Sequence, residues 1–276
     1  MRQSINISKS YLFKLSIPIF FSNISIPLVG LVDTGLMGHL SSEKFLAAIS
    51  IATSVITMIF WSFGFLRMGT VGLVAQSFGK KDWNETTLIL VRNLFLAFII
   101  GFLIILLKSP ILSSIEYFFK TSQDTQILIK QYISIRIISA PAELILYVLT
   151  GYYLGLQKTK VSSLLVSIFC IGNIISSSFF VIYFELGIVG AAAGTVLSAY
   201  ITVIAFLWFN YFQLKNKFSS SLTTIKIFNK KKLFQLFDIN FNIFIRTILL
   251  TFSFLWFTYL GTKIGEDYVA ANAILI

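Results

Sequence analysis

Apolar runs long enough to cross a bilayer follow one another along this chain with only short polar breaks between them, and that pattern leaves little choice of fold. A hydrocarbon layer about 30 Å thick takes about 20 apolar residues of helix. Nothing in lipid satisfies a free backbone N–H or C=O, so a spanning segment has to close its hydrogen bonds on itself. Runs near residues 11–38, 44–77, 88–108, 127–154, 161–183, 187–212 and 236–261, with an eighth beginning near 268, predict an all-α membrane protein. Of its 276 residues 57% are hydrophobic and 12% charged, where a soluble domain carries about 25% charge. The first run has Arg2, Lys9 and Lys14 around its start, as a signal peptide would. It is too long, lacks a small-residue cleavage site and is followed by further spans, so it is expected to be retained.

Charge sets the expected orientation. The N-terminal flank and the breaks after the second, fourth and sixth runs hold fourteen Lys and Arg, while the other breaks hold five (Lys44, Lys108, Lys120, Lys130 and Lys263) beside six acids. The positive-inside rule then predicts a cytoplasmic N-terminus in a multi-pass protein of the plasma membrane. The net charge of +11 is accounted for by those loops, so nucleic acid is not an expected partner. The basic stretch Lys215–Lys232 reads as a topology anchor, with anionic lipid a second possible role.

A repeat divides the chain. "GHLSSEKFLAAISI" at Gly38–Ile51 returns as "GTKIGEDYVAANAI" at Gly261–Ile274, an offset of 223 residues, with Gly38, Glu43, Ala47, Ala48 and Ile51 matched identically. Both copies lie between one span and the next, so the seventh span restarts the fold that the first began. Duplicated helix bundles are common in secondary transporters. The expected domains are a six-helix lobe over 1–212, a basic cytoplasmic linker over 213–235 and the start of a second lobe over 236–276. Because the chain ends "AANAILI" inside an apolar run, it is expected to be part of a longer protein.

Few residues can carry chemistry. One cysteine, Cys170, and one histidine, His39, supply no cluster for zinc, iron or haem, and no nucleophile and base pair is visible, so an enzyme is not expected. Asp33 is the exception: an ionised carboxylate inside an apolar helix costs roughly 2.5–3.5 kcal/mol even on lenient insertion scales and must face protein or water. Asn23, Pro27, Gly30, Thr34 and Met37 share its stripe by three-and-four spacing. Pro18 and Pro27 each remove a backbone donor, inviting a bend in this span. Asn173 and Ser177, one turn apart, and the stripe Ala191, Thr195, Ser198 and Thr202 offer amide and hydroxyl oxygens suited to a hard monovalent cation. Small and hydroxyl residues equally suit close helix packing, and both readings are open on spacing alone. Arg136 and Glu143, seven residues apart, fall on one helical face and are expected to pair.

"LSIPIFFSNISIPLVGLVDTGLMGHL" (Leu15–Leu40), "FLRMGTVGLVAQSFGKKD" (Phe65–Asp82), "IRIISAPAELI" (Ile135–Ile145) and "GNIISSSFFVIYFELGIVGAAAGTVLS" (Gly172–Ser198) together resemble the multidrug and toxic compound extrusion family, its DNA-damage-inducible F-type branch above all. The resemblance implies twelve helices in two six-helix lobes, here incomplete. It implies secondary efflux of organic, often cationic or amphipathic, compounds in exchange for protons or sodium, with no other cofactor and a monomer when full length. It assigns Asp33, Asn173 and Thr195 to the coupling-ion site and Pro18 to bending of the first helix. Ser177 departs from the family, which usually has a second aspartate there, and this leaves proton and sodium both open. Two alternatives accompany this reading: a lipid-linked precursor flippase of the related superfamily, and a fragment that does not transport.

Overall fold

The computed structural model describes residues 43–119, 121–218 and 229–264, together with part of the preceding span (residues 13, 16–20, 24, 30, 32, 33 and 35–37). All regular structure among the described residues is helical: α1 (Glu43–Ser62), α2 (Phe65–Gly79), α3 (Trp83–Leu106), α4 (Lys108–Phe118), α5 (Gln123–Arg136), α6 (Ala140–Gly155), α7 (Thr159–Ser178), α8 (Gly187–Phe218) and α9 (Lys230–Ile264). Several pairs form single rods, so six stretches among the described residues are long and apolar enough to cross a membrane: Lys44–Gly79, Trp83–Leu106, Gln123–Gly155, Thr159–Tyr183, Gly187–Phe209 and Lys230–Leu250. These coincide with the second to seventh runs read from the sequence. The helix closing the first lobe continues to Phe218 and the next begins at Lys230, so helix occupies both ends of the segment 213–235. Pro27, His39 and both copies of the repeat's loop lie wholly or largely outside the described residues.

The bundle is inverted relative to a soluble protein. Phe95, Phe98, Phe102, Leu103, Ile175 and Trp208 face outward, where lipid would cover them. The interior holds Thr70, Asn93, Ser139, Asn173, Ser177, Thr195, Ser198 and Thr202 alongside Leu66, Ile133, Ile137, Leu144 and Ala191. Without a hydrophobic drive between helices in lipid, close contact and interhelical hydrogen bonds hold such a bundle. α7 packs along α8, α6 against both α2 and α3, α5 against α1 and α8, and α9 lies on α2.

One close approach shapes the middle of the lobe. A Cβ on Gly101 of α3 would stand 2.4 Å from Cα of Pro141, so only glycine lets α3 meet the α5–α6 rod there. Pro141 has no N–H to give the carbonyl of Ile137, and the rod tightens into a 3-10 turn at Ile137–Ser139. The Tyr200 hydroxyl of α8 donates to the Ile138 carbonyl at 2.9 Å. Arg136, Ser139 and Glu143, at helical spacing across that turn, are all buried.

The two ends of the bundle differ electrically as the loop charges predict. At one end, lysines are neutralised in place: Lys44 pairs with Asp124 at 2.5 Å and Lys130 with Glu116 at 2.7 Å. The other end carries Lys80, Lys81, Lys158, Lys160 and Lys230–Lys232. There Asp82 caps α3, accepting from the Glu85 amide at 2.9 Å. Glu85 in turn takes the buried Arg92 at 3.1 Å and Lys232 of α9 at 3.2 Å. The half-exposed Lys232 leg is screened and worth at most about 1 kcal/mol, whereas Arg92 is buried and cannot leave cheaply. Lys232→Glu is therefore expected to leave the lobe folded but to loosen the start of α9 from α3. Cysteine cross-linking of α9 to α2, compared with the parent and with Glu85→Lys/Lys232→Glu, checks this; equal cross-linking in all three would refute it.

Candidate functional site

Asp33 of the N-terminal span is buried, with 4% of its surface exposed. Ser177 of α7 and Arg136 both lie close enough to act on it electrically. The acid makes no ion pair among the described residues. The span is held against α7 near its start as well, where the Ser163 hydroxyl donates to the Pro18 carbonyl at 2.6 Å. Pro18 is thus part of a helical stretch docked on α7, a position from which a bend would be felt at Asp33.

α7 and α8 supply the oxygens around the acid. Asn173 and Ser177 are completely buried and Thr195 nearly so. The hydrogen bonds fix how the amide is turned. The Thr195 hydroxyl donates to the Ala191 carbonyl at 3.2 Å, so its oxygen is left to accept, and it accepts from Nδ2 of Asn173 at 2.6 Å. With the amide nitrogen spent on Thr195, Oδ1 of Asn173 is a buried acceptor with no donor, and Oδ1 of Asp33 is another. The Ser177 hydroxyl donates to the Ala191 carbonyl at 3.2 Å and lies near Asp33.

Two unpartnered buried acceptors are costly unless something electropositive sits between or beside them. Carboxylate, amide carbonyl and hydroxyl oxygens form a hard donor set, fitted to a proton or a small monovalent cation and unsuited to soft metals. Asp33, Asn173 and Thr195, the residues that the resemblance assigns, and Ser177, which departs from the family, thus belong to one buried polar cluster. Immediately beyond Ser177 and Ser178 the helix widens into a π turn at Phe179–Tyr183, a distortion often found beside functional residues.

A further polar group adjoins this cluster, of which the sequence pointed to Arg136 and Glu143 but not to Tyr132 or Ser139. Tyr132 is buried and electrically coupled to both Arg136 and Asp33. Arg136 donates to Glu143 and to Ser139, and its guanidinium carbon lies 5.2 Å from the centre of the Phe60 ring, within cation–π range. The Ser139 hydroxyl lies 2.8 Å from the Glu143 carboxylate. The expected Arg136–Glu143 pair is therefore present and elaborated. Spacing of four, three and four residues from Tyr132 through Arg136 and Ser139 to Glu143 was the available signal. Arg246, by contrast, is exposed on α9, and Cys170 is a buried free thiol.

The family model MatE matches residues 18–179, a stretch that contains Asp33, Tyr132, Arg136, Glu143, Asn173 and Ser177. The chain belongs to the MatE family. DNA damage-inducible protein F of Escherichia coli is 34% identical over 98% of the chain and 58% of its own length. The multidrug export protein MepA of Staphylococcus aureus is 24% identical over 96% of the chain and 59% of its own. The chain therefore spans a little under three fifths of these relatives. Among solved structures, the outward-facing conformation of a multidrug resistance MATE family transporter of the MOP superfamily matches with a TM-score of 0.80 at 20% identity, covering 95% of this chain and 57% of that one. A MOP superfamily transporter from Pyrococcus furiosus, described as having a binding pocket of reversed polarity, matches with a TM-score of 0.79 at 20% identity, covering 94% and 57%. The fold is thus that of a MATE-type transporter, covering its first lobe and the beginning of the second.

Proposed function

We propose that this chain carries the cation-coupling lobe of a secondary efflux transporter, which exports organic, often cationic or amphipathic, compounds in exchange for protons or sodium. The observation that carries the reading is the buried Asp33 carboxylate, which has a hydroxyl nearby and an unpartnered oxygen but no ion pair among the described residues. A carboxylate locked to an arginine could not exchange cations; here the nearby arginine is engaged by Glu143. A proton or sodium ion arriving at Asp33, beside the free oxygen of Asn173 and the hydroxyl of Ser177, would neutralise the acid. The first helix, bending at Pro18 and Pro27, would then change its seat on α7 and close the cavity that held the organic molecule. The two lobes would rock about that cavity in alternating access. The basic end of the bundle faces the cytoplasm by the positive-inside rule, which puts the N-terminus there. The coupling ion is the sole cofactor, small organic molecules and lipid are the partners, and the full-length protein is a monomer.

A lipid-linked precursor flippase would need cations facing the central cavity to hold a pyrophosphate. Arg136 is engaged by Glu143, so the efflux reading is the better supported.

The test is dye transport in inverted vesicles containing this chain, driven in turn by a proton gradient and a sodium gradient, with Asp33→Asn alongside. Gradient-driven export of a cationic dye is expected to disappear in the variant, with membrane abundance unchanged. Asp33→Asn exporting at the parental rate would remove Asp33 from its role. A correctly inserted parental chain that moves no dye under either gradient would defeat the transport reading for this chain.

A further inference from the structure

Arg136 stands between two carboxylates and is directly bonded to one of them. Its guanidinium donates to Glu143 and to Ser139, is coupled electrically to the buried Tyr132 and is faced by the Phe60 ring at 5.2 Å. Asp33, on a different helix, is coupled to the same charge. Tyr132, Glu143 and Tyr147 are the titratable groups coupled to Arg136 beside Asp33, and Arg67 reaches the corner through Tyr147; Ser139 and Ser177 supply hydroxyls. With Asp33 ionised the corner holds two negative charges and one positive, and an arginine remains protonated at any accessible pH. Such a buried cluster is tolerable only while its charges are paired. Five donors on a planar guanidinium permit Arg136 to serve both acids, while Ser139, 2.8 Å from Glu143, can support that acid when the arginine turns away.

We infer that Arg136 is a built-in counter-cation, shared between Glu143 and Asp33, that takes the place of the coupling ion whenever Asp33 is charged and empty. This rests on the reading of Asp33 as the coupling carboxylate and adds to it. With a proton or sodium ion on Asp33, the guanidinium belongs to Glu143. With the ion gone, it moves towards Asp33, so that the lobe can carry an ionised acid through its return without an uncompensated buried charge. A lobe with a second acid in place of Ser177 would need a stronger counter-charge; here the single exchangeable acid is matched by one guanidinium.

Dicyclohexylcarbodiimide, which dissolves in lipid and reacts with protonated carboxyl groups, reads this directly. The chain in lipid nanodiscs is labelled at a pH where Asp33 reacts at under a tenth of its acid-limit rate, and labelling is assigned to each acid by peptide mass spectrometry. Arg136→Gln is expected to label Asp33 at least about tenfold faster than the parent, as loss of a neighbouring opposite charge implies, and Arg136→Lys to return most of the difference. Glu143→Gln, which frees the guanidinium for Asp33, is expected to slow labelling several-fold. A structural role alone would open the lobe and speed labelling in both Arg136→Gln and Glu143→Gln. That pattern, or equal rates in all four chains, overturns the proposal. Asp33→Asn retaining full dye export would instead defeat the coupling role of Asp33 and leave the labelling result standing, so the two failures are distinguishable.

Discussion

Gly194→Val is expected to abolish ion-dependent transport and to cost several kcal/mol of stability, the largest loss from any single added side chain in the α7–α8 pair. A Cβ at Gly194 would lie 2.4 Å from the Ser177 amide nitrogen and 2.6 Å from both its Cα and its Oγ. The first two are backbone contacts on the facing helix, so no side-chain rotation relieves them. Reaching an ordinary separation of about 3.5 Å moves the helices apart by about 1 Å at the point where Ser177 meets Asp33. Overpacking of this kind costs typically 1–3 kcal/mol and sometimes more, and a positional error of about 1 Å in a working site costs about a hundredfold in rate. Even Gly194→Ala is expected to show most of the functional loss. Gly172→Ala, on the same interface, is the control: its Cβ would meet Ser198 at 3.4 Å, an ordinary contact, and little change is expected. Thermal unfolding of the chain in detergent, with dye export beside it, checks the pair. Gly194→Ala behaving like Gly172→Ala would show that the α7–α8 contact does not position Ser177.

That contact illustrates what the sequence could and could not convey. The spans were legible because bilayer thickness imposes length and apolarity on each, and the charge difference between the two ends was legible from loop composition. Asp33 stood out because its cost in lipid is large wherever it points. The Asn173–Ser177 and Thr195 faces followed from helical spacing, but spacing could not tell packing from ligand. The structure adds what spacing could not give: the Thr195 hydroxyl accepts from the amide nitrogen of Asn173 and the amide oxygen has no donor. The Arg136–Glu143 pair was within reach because seven residues return to the same helical face. Tyr132 was overlooked because a tyrosine in a membrane helix is ordinary until a buried charge is placed beside it. The ion pair of Glu85 with Lys232 joins residues 147 positions apart through the packing of α9, and no local pattern encodes it. The 3-10 turn at Ile137–Ser139, by contrast, follows from the missing N–H of Pro141, a local cause.

Removing Arg136 and removing both members of its ion pair are expected to have opposite consequences for stability. Arg136→Leu alone leaves Glu143 buried and ionised with only Ser139 to hold it, and breaking one partner of a buried pair costs roughly 3–5 kcal/mol. Arg136→Leu/Glu143→Leu removes both charges from a site already walled by Phe60 and Ile137, and replacing a buried pair with apolar side chains is often neutral or stabilising. The double variant should therefore unfold near the parental temperature and the single variant well below it, measured in the same nanodiscs. A pair that adds little net stability needs another reason to sit inside the lobe, and Asp33 supplies one: the double variant, though stable, should lose the slow carbodiimide reaction of Asp33 as fully as Arg136→Gln does. A double variant as unstable as the single one would mean that the ion pair holds the α5–α6 rod together by itself, and its nearness to Asp33 would then require no functional cause.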